Sequence, residues 1–333
     1  AYQKIWKLYV EHQMVPEHDE LAAYIPRLQT LAEQEDWQQA MALADFLLAA
    51  EPKDFSIVKK LSEIYLDGRD LPAVRKVLDF LQNTQEEGYV CFIQAELSFL
   101  EGRWEESEIY AKHALQQGKL GLSQRGMVHN LLAQLYKHMG RQRQSAEEYL
   151  NSSECKQKRE KKCIEYSNYL MGLHYFTGKT EECLAAAQGY AKLFAGVRPV
   201  PIAGIQTRKL HKRLRVGYVS GDFCQHVAAF FSLPFFEQYD AAVFQVYGYS
   251  FTAPNAMSER MAATADVWRE MAGWSFAEAA RRIAADEIDV LVDLSGHTGT
   301  SCLPLFVYRP APVQISGIGY FGTTGLKQMD YFL

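Results

Sequence analysis

The first half of the chain carries apolar side chains at intervals of three and four residues, which is the period of an amphipathic helix. Segments with this pattern are separated by two or three polar residues, as in LAAYIPRLQTLAEQ, WQQAMALADFLLAA and FSIVKKLSEIYLDG. Prolines are scarce there and runs of β-branched residues are absent. The pattern predicts that the chain is helical up to about Phe194.

The predicted helices also repeat. Similar segments begin at Gly68, Gly102, Gly140 and Gly178, spaced 34, 38 and 38 residues apart, and a degenerate copy begins at Glu35. A small residue lies five positions after each start, namely Ala40, Ala73, Ser107, Ser145 and Cys183. A glycine can end one helix in a left-handed cap, and a small side chain lets the next helix pack closely. The spacing resembles the tetratricopeptide repeat and predicts an α-solenoid, with an irregular helical bundle as the alternative.

The pattern changes near residue 200. Two prolines and a basic run that includes Arg208, Lys209 and Arg213 make residues 197–213 a linker, whose charges form a solvated flank rather than a phosphate site. From residue 214 onward, short apolar strands alternate with helices, as in LRVGYVS, VFQVYGYS, IDVLVDLSG and PVQISGIG. This alternation predicts a parallel, doubly wound sheet. We therefore predict repeats in 1–196, a linker in 197–213 and an α/β lobe in 214–333.

Composition excludes several classes of protein. With 48% apolar and 13% aromatic residues the chain is not disordered, and its net charge of -5 argues against nucleic-acid binding. It has neither an apolar window long enough to span a membrane nor the pattern of a signal peptide. Six dispersed cysteines favour reduced thiols in a cytoplasmic protein. The phenylalanines Phe230, Phe231, Phe235 and Phe236 are predicted to lie in the core.

Ligands of doubly wound sheets bind at the carboxyl ends of the strands, so three turns are candidates for chemistry. In GYVSGDFCQH, His226 begins a helix and is either a general base or a polar residue at a helix start. In DLSGHTGT, the backbone amides around His297 and Thr298 can hold a phosphate or a sugar hydroxyl, or the segment is a structural turn. The side chains of His297 and Thr298 are expected at the rim of the cleft, and that of His226 is expected to face the strand ends.

The third turn, GIGYFGTTG, contains Gly-x-Gly-x-x-Gly after a strand. A dinucleotide site would need a following helix and an acidic residue about 20 positions on, and neither fits the short remaining sequence. A dinucleotide oxidoreductase is therefore rejected. The sequence also lacks GxxxxGK[ST], GxSxG, HExxH and an Asp-x-Asp that would hold a metal against a nucleotide diphosphate.

Together, the repeats and the motifs R-V-G-Y-V-S-x-D-F-x-x-H, D-L-x-G-H-T, R-P-A-P-V-Q and G-Y-x-G-T-T-G resemble the protein O-linked N-acetylglucosamine transferases and the related SPINDLY proteins. The resemblance implies a Rossmann-like lobe that is the first half of a GT-B fold. It also implies transfer of a sugar, most simply N-acetylglucosamine, from a uridine diphosphate donor to Ser or Thr of proteins. Transfer would proceed with inversion of configuration at the sugar carbon that is transferred, and without a metal. The nucleotide sugar would be a co-substrate, so no resident cofactor is expected.

The resemblance also assigns site residues. His226 is expected to be catalytic, and seven residues are expected to bind substrate: Asp222, His297, Thr298, Gly319, Tyr320, Gly322 and Thr323. The acceptor protein would follow the solenoid toward the cleft, and a homodimer is possible in such proteins. Nucleic-acid and membrane partners are not expected.

The sequence stops at Leu333, inside what the resemblance makes the first lobe. Without a second lobe to stabilise the leaving diphosphate, this stretch alone is expected to be inactive. Two alternatives stay open. The protein is a non-catalytic repeat scaffold, or it is an enzyme of the same family with a different donor, such as a fucose nucleotide, or with asparagine as acceptor.

Overall fold

The structure is a computed structural model that describes residues 21–34, 36–81, 86–117, 119–176, 178, 180–202 and 211–333. The chain divides into two compact units, Ala1–Gly140 and Arg141–Leu333. The predicted repeat start at Glu35 and the basic residues Arg208 and Lys209 lie outside the described residues.

The described residues of the first unit form helices that pack in sequence order around one apolar core. Their apolar faces are the ones that the three- and four-residue spacing predicted. The helices are α1 (Leu21–Glu33), α2 (Trp37–Ala49), α3 (Phe55–Asp67), α4 (Leu71–Leu81), α5 (Glu87–Leu100), α6 (Trp104–Gln116) and α7 (Leu122–His138). The predicted helical repeats are confirmed.

Two of the predicted glycine caps are confirmed and one is wrong by a residue. Gly102 and Gly140 have φ values of 75° and 72°, in the left-handed region. Gly68 instead keeps a helical φ of -75°, and Arg69 takes the left-handed conformation with φ 55°. A Cβ on Gly68 would lie 2.9 Å from the Met41 sulfur, so a larger residue there would require the Met41 side chain to shift.

The small residues at the repeat starts lie where the helix pairs touch. Ala40, Ala73, Ser107 and Ser145 are buried, as predicted. The Ser107 hydroxyl donates a hydrogen bond to the Ala95 carbonyl of α5 over 2.8 Å. Such a bond to the backbone of the preceding helix requires the close approach that a small side chain allows.

The second unit begins with three further repeat helices and continues into the α/β lobe. The helices are α8 (Gln142–Cys155), α9 (Arg159–Leu173), α10 (Thr180–Lys192), α11 (Val227–Ser232), α12 (Pro234–Glu237), α13 (Ala256–Ala262), α14 (Phe276–Ala285) and α15 (Leu303–Phe306). The strands are β1 (Leu214–Ser220), β2 (Phe244–Ser250), β3 (Val267–Glu270), β4 (Val290–Asp293), β5 (Val313–Ser316) and β6 (Tyr331–Phe332). They form one sheet in the order β3-β2-β1-β4-β5-β6.

All strand pairings are parallel, which confirms the predicted sheet. Alternate residues point to opposite faces, as strand geometry requires. Tyr247, Tyr249 and Leu291 enter one core, whereas the adjoining residues Val246 and Val292 enter the other. Helices α11–α13 cover the second face. The short α15 between β4 and β5 was not predicted.

The repeat helices α9 and α10 belong to the core of the lobe. Leu170, Leu173 and Tyr190 are buried in the same cluster as Leu291 and Leu303 of the lobe. The predicted division at residue 196 therefore differs from the compact units, whose boundary lies at Gly140. The reason is that α9 and α10 bury their apolar faces on the lobe, a long-range contact that composition does not reveal.

The aromatic segment after β1 is only partly in the core. Phe236 is buried as predicted, but Phe230 and Phe231 are 54% and 67% exposed. The prediction for these two residues is wrong because α11 has only six residues and buries Ala229 and Ser232 on its inner face.

The six cysteines are all free, in agreement with the predicted thiols. None of the described helices combines the length and the apolar character that crossing a bilayer would require.

Candidate active site

The strand order reverses between β1 and β4, which lie side by side in the middle of the sheet. In sheets of this order, ligands bind in the crevice at the carboxyl ends of the strands where the order reverses. β1 ends at Ser220 and is followed by the turn with Asp222, and β4 ends at Asp293 and is followed by the turn with His297 and Thr298. Two of the three predicted turns therefore meet at this point.

Asp293 organises the turn after β4. Its carboxylate is fully buried and accepts hydrogen bonds from the backbone amides of Ser295 and Gly296, at 3.2 and 3.0 Å, and from the Ser316 hydroxyl of β5 at 2.9 Å. Burial raises the pKa of Asp293 to about 6. Of the amides that were predicted as possible phosphate or sugar ligands, that of Gly296 is thus bonded to a carboxylate of the protein itself.

A second set of hydrogen bonds joins the turns after β1 and β4. The Thr300 hydroxyl donates to Asp222 over 2.6 Å, and the hydroxyls of Ser220 and Ser295 lie 3.1 Å apart. Asp222 is buried, and its backbone amide donates to the Ser220 hydroxyl. Asp222 therefore fixes the two turns against each other. Its predicted contact with substrate stays a prediction.

His226 is exposed at the start of α11, where it caps the helix. Its Nδ1 accepts a hydrogen bond from the backbone amide of Ala228 over 3.2 Å. An Nδ1 that accepts carries no proton, so the ring holds its proton on Nε2. In this state the exposed ring of His226 presents an Nε2–H donor.

His297 is buried, so the prediction that its side chain lies at the rim of the cleft is wrong. Its Nδ1 lies 2.9 Å from the Ser167 hydroxyl of α9, and its Nε2 lies 3.0 Å from the Thr324 carbonyl. Its ring also packs edge-on against Tyr190 and Tyr320. Burial lowers the pKa of His297 to about 4, which keeps the ring neutral near pH 7.

Thr298, the next residue, differs from His297. Its side-chain hydroxyl is buried and makes no hydrogen bond within the described residues. Buried hydroxyls are nearly always paired, so this one, at the carboxyl end of a central strand, needs a partner that the described residues do not supply.

The glycines of the third turn are required by close protein contacts. A Cβ on Gly319 would lie 2.2 Å from the Leu294 carbonyl oxygen, and one on Gly322 would lie 2.7 Å from Nε2 of His174. Gly325, with φ 72°, would place a Cβ 2.0 Å from the Ala187 carbonyl oxygen of α10. The Gly-x-Gly-x-x-Gly spacing therefore serves packing on the turn after β4 and on the repeat helices.

Tyr320 and Thr323 of the same turn have different surroundings. Tyr320 is buried, and its hydroxyl lies 2.8 Å from Nε2 of His174. Thr323 is exposed, and its hydroxyl accepts a hydrogen bond from the Gly325 amide. Of these two predicted substrate residues, only Thr323 has an exposed side chain.

A cavity of about 270 Å³ adjoins the strand ends. Ser167 and Tyr190 line it from the repeat helices, and Gly221, Phe276 and Thr300 line it from the lobe. Among the described residues, no group of His, Cys, Asp and Glu side chains is arranged to hold a metal ion.

The described residues of the basic run lie at the opposite ends of the strands, where β1 begins. Arg213 pairs with Asp266 at 2.9 Å, and Arg215 pairs with Glu287 at 3.2 Å. These charges stabilise the lobe and do not belong to the site, in agreement with the prediction of a flanking segment.

Sequence reasoning missed the residues that the repeats contribute. Ser167, His174 and Tyr190 contact the site turns but lie more than 100 positions before them, in helices with an ordinary repeat pattern. No role was predicted for Asp293, which is the first residue of the D-L-x-G-H-T motif. An acidic residue at the end of an apolar strand is nevertheless a signal that it holds the turn that follows.

Residues 202–333 match the sequence model of glycosyl transferase family 41. The chain is 28% identical over 170 residues to the tomato (Solanum lycopersicum) protein named probable UDP-N-acetylglucosamine--peptide N-acetylglucosaminyltransferase SPINDLY, which covers 49% of this chain and 18% of the relative. The SEC protein of Arabidopsis thaliana, with the same enzyme name, is 32% identical over 124 residues, covering 37% of this chain and 13% of the relative.

Among solved structures, the chain is similar to the Thermobaculum terrenum O-GlcNAc transferase, in a mutant form. The TM-score is 0.64 at 25% sequence identity, and the match covers 94% of this chain and 54% of the solved chain. The chain thus spans about half of that structure and less than a fifth of the two plant relatives.

Proposed function

We propose that this chain, whose residues 202–333 match the model of glycosyl transferase family 41, is a SPINDLY-like member of that family and that the protein transfers a sugar from a nucleotide diphosphate to other proteins. N-acetylglucosamine from its uridine diphosphate is the donor that we propose first, with Ser or Thr hydroxyls as acceptors. Transfer proceeds with inversion and without a metal or a resident cofactor. The acceptor polypeptide reaches the site along the helical repeats.

One observation carries the proposal. The family motifs with Asp222 and Thr298 follow the carboxyl ends of β1 and β4, where the strand order reverses, and His226 begins the helix after β1. This is the edge at which sheets of this type bind nucleotides and sugars. The exposed His226 and the unpaired Thr298 hydroxyl supply groups that can bind oxygen atoms of a substrate.

The Nε2–H of His226 is the group that we assign to chemistry. As an exposed donor it can bind an oxygen of the acceptor or of the diphosphate, which gains negative charge as the sugar bond breaks. Taking the proton of the acceptor hydroxyl would require the ring to release the Ala228 amide first.

Activity is tested by incubating the full-length protein with UDP-N-acetylglucosamine or, in parallel, GDP-fucose, and peptides containing Ser, Thr or Asn. Mass spectrometry reads sugar attachment, and alkaline β-elimination separates links to Ser or Thr from links to Asn. Sugar that is attached from UDP-N-acetylglucosamine and is then released from the peptide by alkali supports the proposal. No transfer from either donor contradicts it and favours a non-catalytic scaffold.

The proposed catalytic role of His226 can be separated by experiment from its role as a helix cap. His226→Asn retains an oxygen that can cap α11, whereas His226→Ala removes the cap at a cost of about 1 kcal/mol. We expect both variants to lose at least about 100-fold in transfer rate, because neither carries the distal N–H. If His226→Asn retains activity and only His226→Ala loses it, the residue acts as a cap alone.

A further inference from the structure

Two turns of the candidate site are held by the repeat helices of the second unit. The turn after β4 contributes His297, whose Nδ1 meets the Ser167 hydroxyl at 2.9 Å. The turn after β5 contributes the Thr324 carbonyl, which meets Nε2 of the same ring at 3.0 Å. Ser167, His297 and Thr324 therefore form one continuous chain of hydrogen bonds from α9 through both turns.

The direction of these bonds follows from chemistry. A carbonyl oxygen only accepts, so Nε2 of His297 carries the proton and donates to Thr324. The neutral ring then has a lone pair on Nδ1, and the Ser167 hydroxyl must be the donor to it. No other protonation state of a neutral imidazole satisfies both contacts. The Thr324 carbonyl thus sets the tautomer, and Ser167 holds the orientation of the ring through its hydrogen bond to Nδ1.

A second contact supports the same arrangement. The ring of His174, near the end of α9, lies 2.8 Å from the Tyr320 hydroxyl through its Nε2. Gly325 approaches the backbone of α10 so closely that a Cβ would overlap the Ala187 carbonyl. The glycine-rich turn therefore rests on α9 and α10 at both ends.

We propose that Ser167, in a repeat helix, is a positioning residue for sugar transfer, acting through His297 on the turns that carry Thr298 and Gly319–Thr323. The inference rests on the proposed function. A group that must contact a transition state has to be held within a fraction of an ångström, and loss of such support costs rate more than binding. The repeats would then contribute to catalysis itself as well as to acceptor binding.

A matched pair of variants tests the proposal in the full-length protein. Ser167→Ala removes the donor to His297. Ser153→Ala is the control, because Ser153 is also a buried serine whose hydroxyl donates to a backbone carbonyl, that of Lys162 within the repeats. Each variant loses one buried hydrogen bond, so urea unfolding is expected to show similar losses of stability.

We expect Ser167→Ala to lower kcat about tenfold with little change in either KM, and Ser153→Ala to leave both constants near the wild-type values. A double-mutant cycle with His297→Gln tests the route. Gln can still donate to Thr324 but offers Ser167 no equivalent of Nδ1, so adding Ser167→Ala to it should cause no further loss. Equal losses of kcat in the two serine variants, or additive effects in the cycle, would overturn the proposal.

Hydrogen exchange separates this proposal from the proposed function. In Ser167→Ala, but not in Ser153→Ala, the amides of residues 294–300 and 317–325 should exchange faster than in the wild type. If the wild-type protein transfers no sugar while this difference is present, the proposed function fails and the positioning contact stands. Unchanged exchange in both turns refutes the positioning contact whatever the activity.

Discussion

Thr298 has the most informative side chain at the scale of single residues. Its buried hydroxyl is unpaired within the described residues, so the fold gains nothing from it. Thr298→Val keeps the shape and removes the hydroxyl. We expect its free energy of unfolding to be unchanged or slightly higher, whereas the KM for one of the two substrates should rise about tenfold.

The matched control for this prediction is Thr264→Val. Thr264 lies before the amino end of β3, and its hydroxyl donates a hydrogen bond to the Met261 carbonyl. This variant should lose stability slightly and keep its KM values. Unchanged KM values in Thr298→Val would show that the Thr298 hydroxyl does not contact substrate.

The buried His297 predicts a dependence of stability on pH. Burial lowers its pKa to about 4, against 6.5 for the unfolded chain. The unfolded state therefore takes up a proton first as pH falls, and the folded state loses stability between pH 6.5 and 4, by up to about 3 kcal/mol. His297→Gln lacks this proton uptake. Urea unfolding of both proteins at several pH values measures the difference.

Asp293 changes the pH dependence of stability in the opposite direction, but it is present in both the wild type and His297→Gln. Its pKa is raised to about 6, so protonation as pH falls through 6 favours the folded state. The difference between wild type and His297→Gln cancels this effect. Parallel stability curves for the two proteins would contradict the burial of a neutral His297.

At the scale of elements, the packing of the glycine-rich turn on α10 predicts a large effect of one methyl group. Gly325 and Gly273 both have a left-handed φ, 72° and 81°. A Cβ on Gly273 meets nothing within 4 Å, whereas one on Gly325 overlaps the Ala187 carbonyl. We expect Gly273→Ala to cost about 1 kcal/mol and Gly325→Ala at least about 3 kcal/mol, measured by urea unfolding.

The comparison controls for backbone strain, because both substitutions force alanine into the same conformation. Any excess cost at Gly325 then measures the contact between the turn and α10. Equal costs would mean that the turn moves away from α10 without penalty.

The sequence predicted elements well where the signal is local. The apolar runs that became β1 and β4 were predicted from the residues of those runs alone. The short α15 was missed because four residues give no readable period.

The site was predicted less completely because its contacts are distant in sequence. His297 was assigned to the rim from its position after a strand, but Ser167, 130 residues earlier, holds it in the interior. The spacing of the glycines in the third turn matches that of a phosphate-binding motif. Only the three-dimensional neighbours His174 and Leu294 explain why glycine is needed there.

At the scale of the whole molecule, the second unit should fold as one piece. A fragment of residues 141–333 retains α9 and α10, whose Leu170 and Tyr190 fill the core of the lobe. A fragment of residues 214–333 exposes that core. We expect cooperative thermal unfolding for the longer fragment, and binding of a hydrophobic dye with poor solubility for the shorter one.

The outcome decides where the independent folding unit begins. Cooperative unfolding of the 214–333 fragment would show that the lobe does not need the repeat helices and that the sequence-based boundary near residue 196 is the relevant one.

The hydrogen-bond chain through His297 has a consequence for inheritance. Recombination at the linker would combine the lobe with an α9 from a different protein. That helix would not have evolved with the turn that carries His297, and His297 would lose the Ser167 hydroxyl as its donor. Recombination before Arg141 would keep Ser167, His174 and His297 together. We therefore expect descendants of this gene to exchange the repeats of the first unit freely, while α8–α10 are inherited with the lobe.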